Sequence, residues 1–136
     1  MTTHLSKDVY EKLVGKSIDI KTNKYRNKKV VYDNIKFDSI KEQDHYKLLK
    51  ILEKAGIIKE LELQKRFELQ PSFMDNNGKM QKAITYIADF FYYETIQKIY
   101  IAEDVKSEAT KKDKVYNLKK KMFMYQYPNI VFKEII

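Results

Sequence analysis

The chain is expected to fold as an α/β protein with a mixed central sheet flanked by helices. Three observations carry that expectation. Apolar residues recur at helical spacing in two separate segments, alternation of period two marks several others, and the segments run in the order helix, strands, helix, strand. The chain has 136 residues, long enough for one domain with a real core, and 43% of them are apolar.

Taken in order, Met1 to about Lys21 looks separate, with Ser6 placed to cap a short helix carrying Val9, Leu13 and Val14. The stretch "TNKYRNKKVVYDNIKFDS" is basic, then alternates through Val31, Asp33, Ile35 and Phe37, and reads as a loop leading into one short strand. Ser39 to Ala55 is a helix. Ser39 with Glu42 three residues on matches a capping box, Tyr46, Leu49 and Leu52 mark its apolar face, and Gly56 closes it. Ile57 to Leu63 reads as one strand and Arg66 to Phe73 as another, with Pro71 marking an edge or an end. "DNNG" at Asp75 to Gly78 is a hairpin turn signal. Gln81 to Tyr93 is a long strand, and Lys98 to Lys106 pairs back onto it. A second helix is expected from Thr110 to about Tyr125, with Val115, Leu118, Met122 and Tyr125 inward, and Ile130 to Ile135 is the last strand.

Composition excludes several chemistries. There is no Cys, hence no disulfide framework and no thiolate metal site, and the two His are far apart. No apolar run approaches membrane-spanning length, and the N-terminus lacks a signal-peptide pattern, so a soluble cytoplasmic protein with no membrane partner is expected. The formal net charge of +8 fits a polyanionic partner such as nucleic acid. It also fits a lysine-rich composition, since only Arg26 and Arg66 are Arg. Lysines act on phosphates as point charges, so any nucleic acid would be held through its backbone with little base readout.

"IYIAEDVKSEATKK", from Ile99 to Lys112, starts as an apolar strand and ends in acids and a lysine. The strand period of two puts Asp104 and Lys106 on one face and Glu103 on the other. Asp89 lies inside the apolar run "YIADFFYY", where an ionised carboxylate needs a compensating partner. Asp89 and Asp104 have the chemistry of hard-cation ligands, and Mg²⁺ takes one or two carboxylates alongside water and substrate phosphate. Lys106 beside them would position water or stabilise charge on a phosphate. On spacing alone, Asp104 and Lys106 are equally read as a surface ion pair, Asp89 as a hydrogen-bonded buried acid, and Glu42 as a capping residue.

The stretches "NKYRNKKV", "IKFDSIKE", "FELQPSF", "YIADF", "EDVK" and "KKKMFMYQYP" occur in an order that resembles the PD-(D/E)XK nuclease superfamily, more narrowly the phage-encoded family DUF1064. The resemblance covers roughly Asn23 to Phe132. It implies a restriction-endonuclease-like αβββαβ core over residues 23–136, after an N-terminal extension of residues 1–22. It also implies a Mg²⁺- or Mn²⁺-dependent DNA endonuclease of phage replication or recombination in the bacterial host cytoplasm. Metal-binding acids fall on Asp89 and Asp104, the catalytic lysine on Lys106, and a first-helix acid on Glu42. Lys24, Arg26, Lys28 and Lys29, with Lys111, Lys112, Lys114, Lys119 and Lys120 of the second helix, would grip phosphates. Junction resolvases in the superfamily make a branched substrate, a homodimer and phage protein partners part of the implication. Ser107 stands where such families often carry Gly, and Gln43 where a small residue is usual. The competing expectations are a non-catalytic DNA- or protein-binding module and an RNA nuclease.

Overall fold

The computed structural model describes residues 29–136. The expected helix of the N-terminal extension and the basic residues Lys24, Arg26 and Lys28 lie outside the described residues. The described chain is mixed α/β and divides into two compact units, residues 29–59 with Thr95–Gln97, and Glu60–Glu94 with Lys98–Ile136.

In the first unit, β1 (Val30–Tyr32) and β2 (Ile35–Phe37) form an antiparallel hairpin in the register Val30↔Phe37. The sequence alternation suggested a single strand here. Asp33 and Asn34 break it, both at positive φ (54° and 60°), the pair a two-residue primed turn requires. Helix α1 (Ile40–Lys54) follows, capped by Ser39, whose Oγ accepts the Glu42 N–H at 3.1 Å. Such a cap stabilises a helix by about 1 kcal/mol. Gly56, at φ +79°, ends α1: its N–H reaches the Glu53 carbonyl and the Ile57 N–H reaches that of Leu52, a Schellman arrangement. Tyr46 packs its ring 5.1 Å from Phe37 and donates to Asp33 Oδ2, while the Gln43 amide donates to the Val31 carbonyl. These contacts fasten α1 to the hairpin.

A four-stranded sheet follows in the order β3 (Ile58–Gln70), β6 (Ile84–Glu94), β7 (Ile99–Val105), β8 (Ile130–Ile135). β6 and β7 are antiparallel, and β8 runs parallel to β7. A short second hairpin, β4 (Phe73–Met74) and β5 (Met80–Gln81), closes around Asp75. Its Oδ1 accepts the N–H groups of Asn77 and Lys79, and Gly78 takes φ +75°. The two strands expected on either side of Gln64 are one. Glu60 and Gln64 take positive φ (59° and 52°) inside it, and Phe67 and Leu69 are its core residues under α3. Lys65, with 37% of its side chain exposed, pairs with Glu62 at 3.5 Å and sets its Nζ 5.8 Å from the Phe91 ring centroid.

The second expected helix is two. α2 (Glu108–Lys111) starts at Ser107, in a reciprocal capping box with Thr110. α3 (Lys114–Gln126) starts at Asp113, whose carboxylate accepts from Val115 and Tyr116. Together they carry the chain from β7 to the parallel β8. The inward face of α3 also differs from expectation. Phe123 is fully buried, with its ring 4.9 Å from Phe67, 5.3 Å from Tyr86 and 6.0 Å from Phe132. Tyr116, Lys120 and Tyr127 share that side, while Val115, Leu118 and Tyr125 face solvent.

Candidate functional site

The sheet face beneath α3 gathers the chemistry. Tyr86 and Phe91 lie five residues apart on β6, yet both reach the aromatic core of that face, through Phe123 and Phe67 respectively. In a regular strand residues an odd number apart point to opposite faces. β6 therefore accommodates one extra residue between them, a bulge, and its regular pairing with β7 runs only as far as Phe90↔Glu103. Asp89 sits at the slip. Its Oδ2 accepts the Val105 N–H at 2.8 Å, and its Oδ1 accepts from the Gln64 amide at 3.3 Å.

Asp104 is 1% exposed. The Tyr86 hydroxyl donates to its Oδ2, and the Lys106 ammonium stands 2.9 Å from its Oδ1. That Oδ1 is sealed from solvent and receives no hydrogen bond of adequate geometry, leaving the ammonium as its compensating charge. The Lys106 side chain is 22% exposed and also lies over the Tyr116 ring, 4.8 Å from its centroid. β7 ends here, with the Lys106 N–H on the Ile135 carbonyl of β8. Tyr116 donates to Glu134 Oε2 at 2.7 Å and Lys120 to its Oε1 at 2.6 Å.

Electrostatics follow from these contacts. Burial pushes the Tyr86 hydroxyl far above its usual pKa, and the Asp104 charge adds to the effect. Burial, the hydrogen bond to Glu134 and the Asp104 charge do the same to Tyr116. Both phenols are therefore permanent donors that hold carboxylates in place. Burial pushes Glu134 up, but the hydrogen bonds from Lys120 and Tyr116 outweigh it and hold its carboxyl below the usual range.

Three of the four expected catalytic residues thus meet at the β6–β7 strand ends: Asp89 and Lys106 flank Val105, and Asp104 joins Lys106 directly. Glu42 belongs to the first unit, at the start of α1, where its N–H serves the Ser39 cap. Glu103 faces the opposite side of β7, buried, with the Tyr92 hydroxyl on its Oε2 at 2.6 Å. Among the described residues, no three His, Asp or Glu side chains form a metal-binding group. Of the expected phosphate contacts, Lys111, Lys112 and Lys114 are exposed, Lys119 is half-buried, and Lys120 is turned inward onto Glu134. Lys29 pairs with Asp38 at 3.8 Å on the surface. Tyr86, Tyr116 and Glu134 were missed from the sequence. The period of β6 could have flagged Tyr86 only if the bulge had been foreseen.

The structure thus sets a buried aspartate–lysine pair at the end of β7 in a mixed α/β fold, with Asp89 hydrogen-bonded to the residue between them. The chain belongs to the family described as a protein of unknown function, DUF1064, whose model matches residues 22–136. No curated protein and no solved structure matches the chain. Among the described residues, no helix is long and apolar enough to cross a membrane.

Proposed function

We propose that the protein is a metal-dependent DNA endonuclease of the PD-(D/E)XK type. The observation that carries the reading is the buried Asp104 carboxylate facing the Lys106 ammonium at 2.9 Å, with Asp89 hydrogen-bonded to the residue between them. A merely structural ion pair gains little from burial, because desolvation offsets its Coulomb energy. An ammonium that keeps 22% of its side chain exposed while anchored by a buried carboxylate is instead suited to face a substrate. The strand order, with an antiparallel hairpin and a helical crossover to a parallel strand, also supports the superfamily fold.

The reading takes the carboxylates of Asp89 and Asp104 as ligands of a hard divalent cation, with Asp104 giving up its contact with Lys106 to the ion. Mg²⁺ and Mn²⁺ favour oxygen ligands, and two carboxylates with the remainder from water and phosphate is a usual Mg²⁺ set. Asp89 and Asp104 would hold the ion, which when bound supplies Lewis-acid polarisation and charge neutralisation at a phosphoryl oxygen. Lys106 donates hydrogen bonds to the scissile phosphate and stabilises its negative charge as water attacks phosphorus and the bond to the leaving oxygen breaks. Tyr86 keeps Asp104 oriented. The resemblance adds Glu42 as a further acid, and Glu42→Gln tests it separately. Lys111 and Lys112 follow the strand end closely and are the nearest phosphate contacts, with Lys114 and Lys119 extending them. Lys29 belongs to the arm that also carries Lys24, Arg26 and Lys28. A role in phage recombination on branched DNA, acting as a dimer, follows from the family resemblance.

The test is cleavage of supercoiled, single-stranded and branched DNA, and of RNA, with Mg²⁺, Mn²⁺ or EDTA. Metal-dependent cutting of DNA supports the reading. Salt-sensitive binding with no cutting under any condition points to a binding module, and cutting confined to RNA to a ribonuclease.

A further inference from the structure

α3 carries two apolar stripes, and the sheet uses only one. Tyr116, Phe123 and Tyr127 go inward, while Val115, Leu118 and Tyr125 are 62%, 60% and 85% exposed. Met122, partly buried against the core cluster, lies between the two stripes, and with it the exposed residues fall at spacings of three, four and three, the a and d positions of two heptads. Beside them lies an open groove of about 330 Å³ lined by Leu69, Leu118, Lys121, Met122, Tyr125 and Gln126. Scattered apolar side chains on a surface need no explanation, but a continuous seam with a groove marks a protein contact.

The flanks say what covers it. In this register the positions beside the seam hold Lys114, Lys119 and Lys121, with Gln126 the uncharged remainder. A second copy of the helix would set lysine against lysine in either orientation, and like charges there oppose pairing. Phosphates would be matched by the lysines but leave Leu118 and Tyr125 in water. An apolar stripe edged by acids satisfies both features. We infer that the outer face of α3 docks an amphipathic helix of a partner protein, with leucine-like residues on its apolar stripe and Asp or Glu along its edges. The apolar residues Val115, Leu118 and Tyr125 take no part in the Asp104–Lys106 site, while the flanking Lys114 and Lys119 are also among the proposed phosphate contacts, so peptide binding is measured without DNA and the two readings fail separately.

The probe is a fluorescein-labelled peptide with Leu at a and d and Glu at e and g, compared with one bearing Lys at e and g, by fluorescence anisotropy against the full chain. A two-heptad seam predicts a dissociation constant of roughly 1–100 µM for the acidic peptide. The basic peptide should bind at least about tenfold more weakly. Leu118→Glu and Tyr125→Glu should each weaken the acidic peptide about tenfold or more. Both side chains sit in solvent, so the circular dichroism spectrum and melting temperature of each variant should match the parent. Equal binding of the two peptides, or binding unaffected by both variants, would overturn the inference. So would a chain dimer in sedimentation that Leu118→Glu dissolves, or a loss of DNA affinity in Leu118→Glu with peptide binding intact.

Discussion

Replacing Lys106 with Met removes the charge that faces Asp104 while keeping much of the side-chain volume. Asp104 is 1% exposed and would be left with the Tyr86 hydroxyl on one oxygen and no counter-charge on the other. Breaking a buried ion pair by deleting one partner costs about 3–5 kcal/mol. Lys106 is 22% exposed, so water can enter where its ammonium stood, and the retained Tyr86 bond softens the loss further. The expected destabilisation is therefore about 2–3 kcal/mol at neutral pH. For a chain of this size that is a fall of roughly 10 °C in melting temperature. Urea denaturation followed by circular dichroism measures it. The double variant Asp104→Asn with Lys106→Met removes both charges and should recover at least half of the loss, since no buried charge remains. A Lys106→Met chain within about 0.5 kcal/mol of the parent would refute the reasoning, because it would mean Asp104 does not depend on Lys106.

Tyr86→Phe deletes the hydroxyl that holds Asp104 and should cost about 1–3 kcal/mol in the same denaturation assay, with a slower cleavage rate alongside. Glu134→Gln weakens the charge-assisted bonds from Lys120 and Tyr116 and should cost about 1–2 kcal/mol at pH 7. Because the folded-state pKa of Glu134 lies below its ordinary 4.5, its contribution is present above that pH and is lost as pH falls through the lowered value. Melting curves of parent and Glu134→Gln should therefore converge toward pH 3 or so and separate above pH 5 or so. Gly56→Ala should cost about 1–2 kcal/mol through strain at φ +79°, since no atom lies close enough for a new methyl to clash. A loss well above that in thermal melts would point to a packing role.

Much of the fold is legible because local signals act alone there. Ser39 caps α1, Gly56 ends it, Asp75 and Gly78 turn a hairpin, and Ile130–Ile135 forms the last strand. The elements that differ have two physical causes, positive-φ residues inside apparent strands and a lysine turned inward on α3. Gln64 takes φ 52° inside a continuous β3, and the exposed Asp33–Asn34 pair folds a hairpin inside what alternation presents as one strand. Lys120 stands in the inward stripe of α3 because Glu134 receives its ammonium, so of the expected face of Val115, Leu118, Met122 and Tyr125 only Met122 packs against the core. At the site, Asp104 and Lys106 were visible as a spacing, and the opposite orientation of Glu103 followed from the strand period. The bulge that aims Asp89 at Val105 has no local signature, and nothing near Tyr86 in the sequence marks it, because its partner lies eighteen residues away on the next strand.

The central claim is that the Asp104 side of β7, and not the Glu103 side, forms a phosphodiester-hydrolysing centre. The most direct measurement is the Mg²⁺-dependent DNA cleavage rate of Asp104→Asn beside that of Glu103→Gln, two near-isosteric changes at adjacent buried acids. The account predicts a loss of about a hundredfold or more for Asp104→Asn and a rate within a few-fold of the parent for Glu103→Gln. Undiminished cutting by Asp104→Asn, or a loss confined to Glu103→Gln, would contradict it.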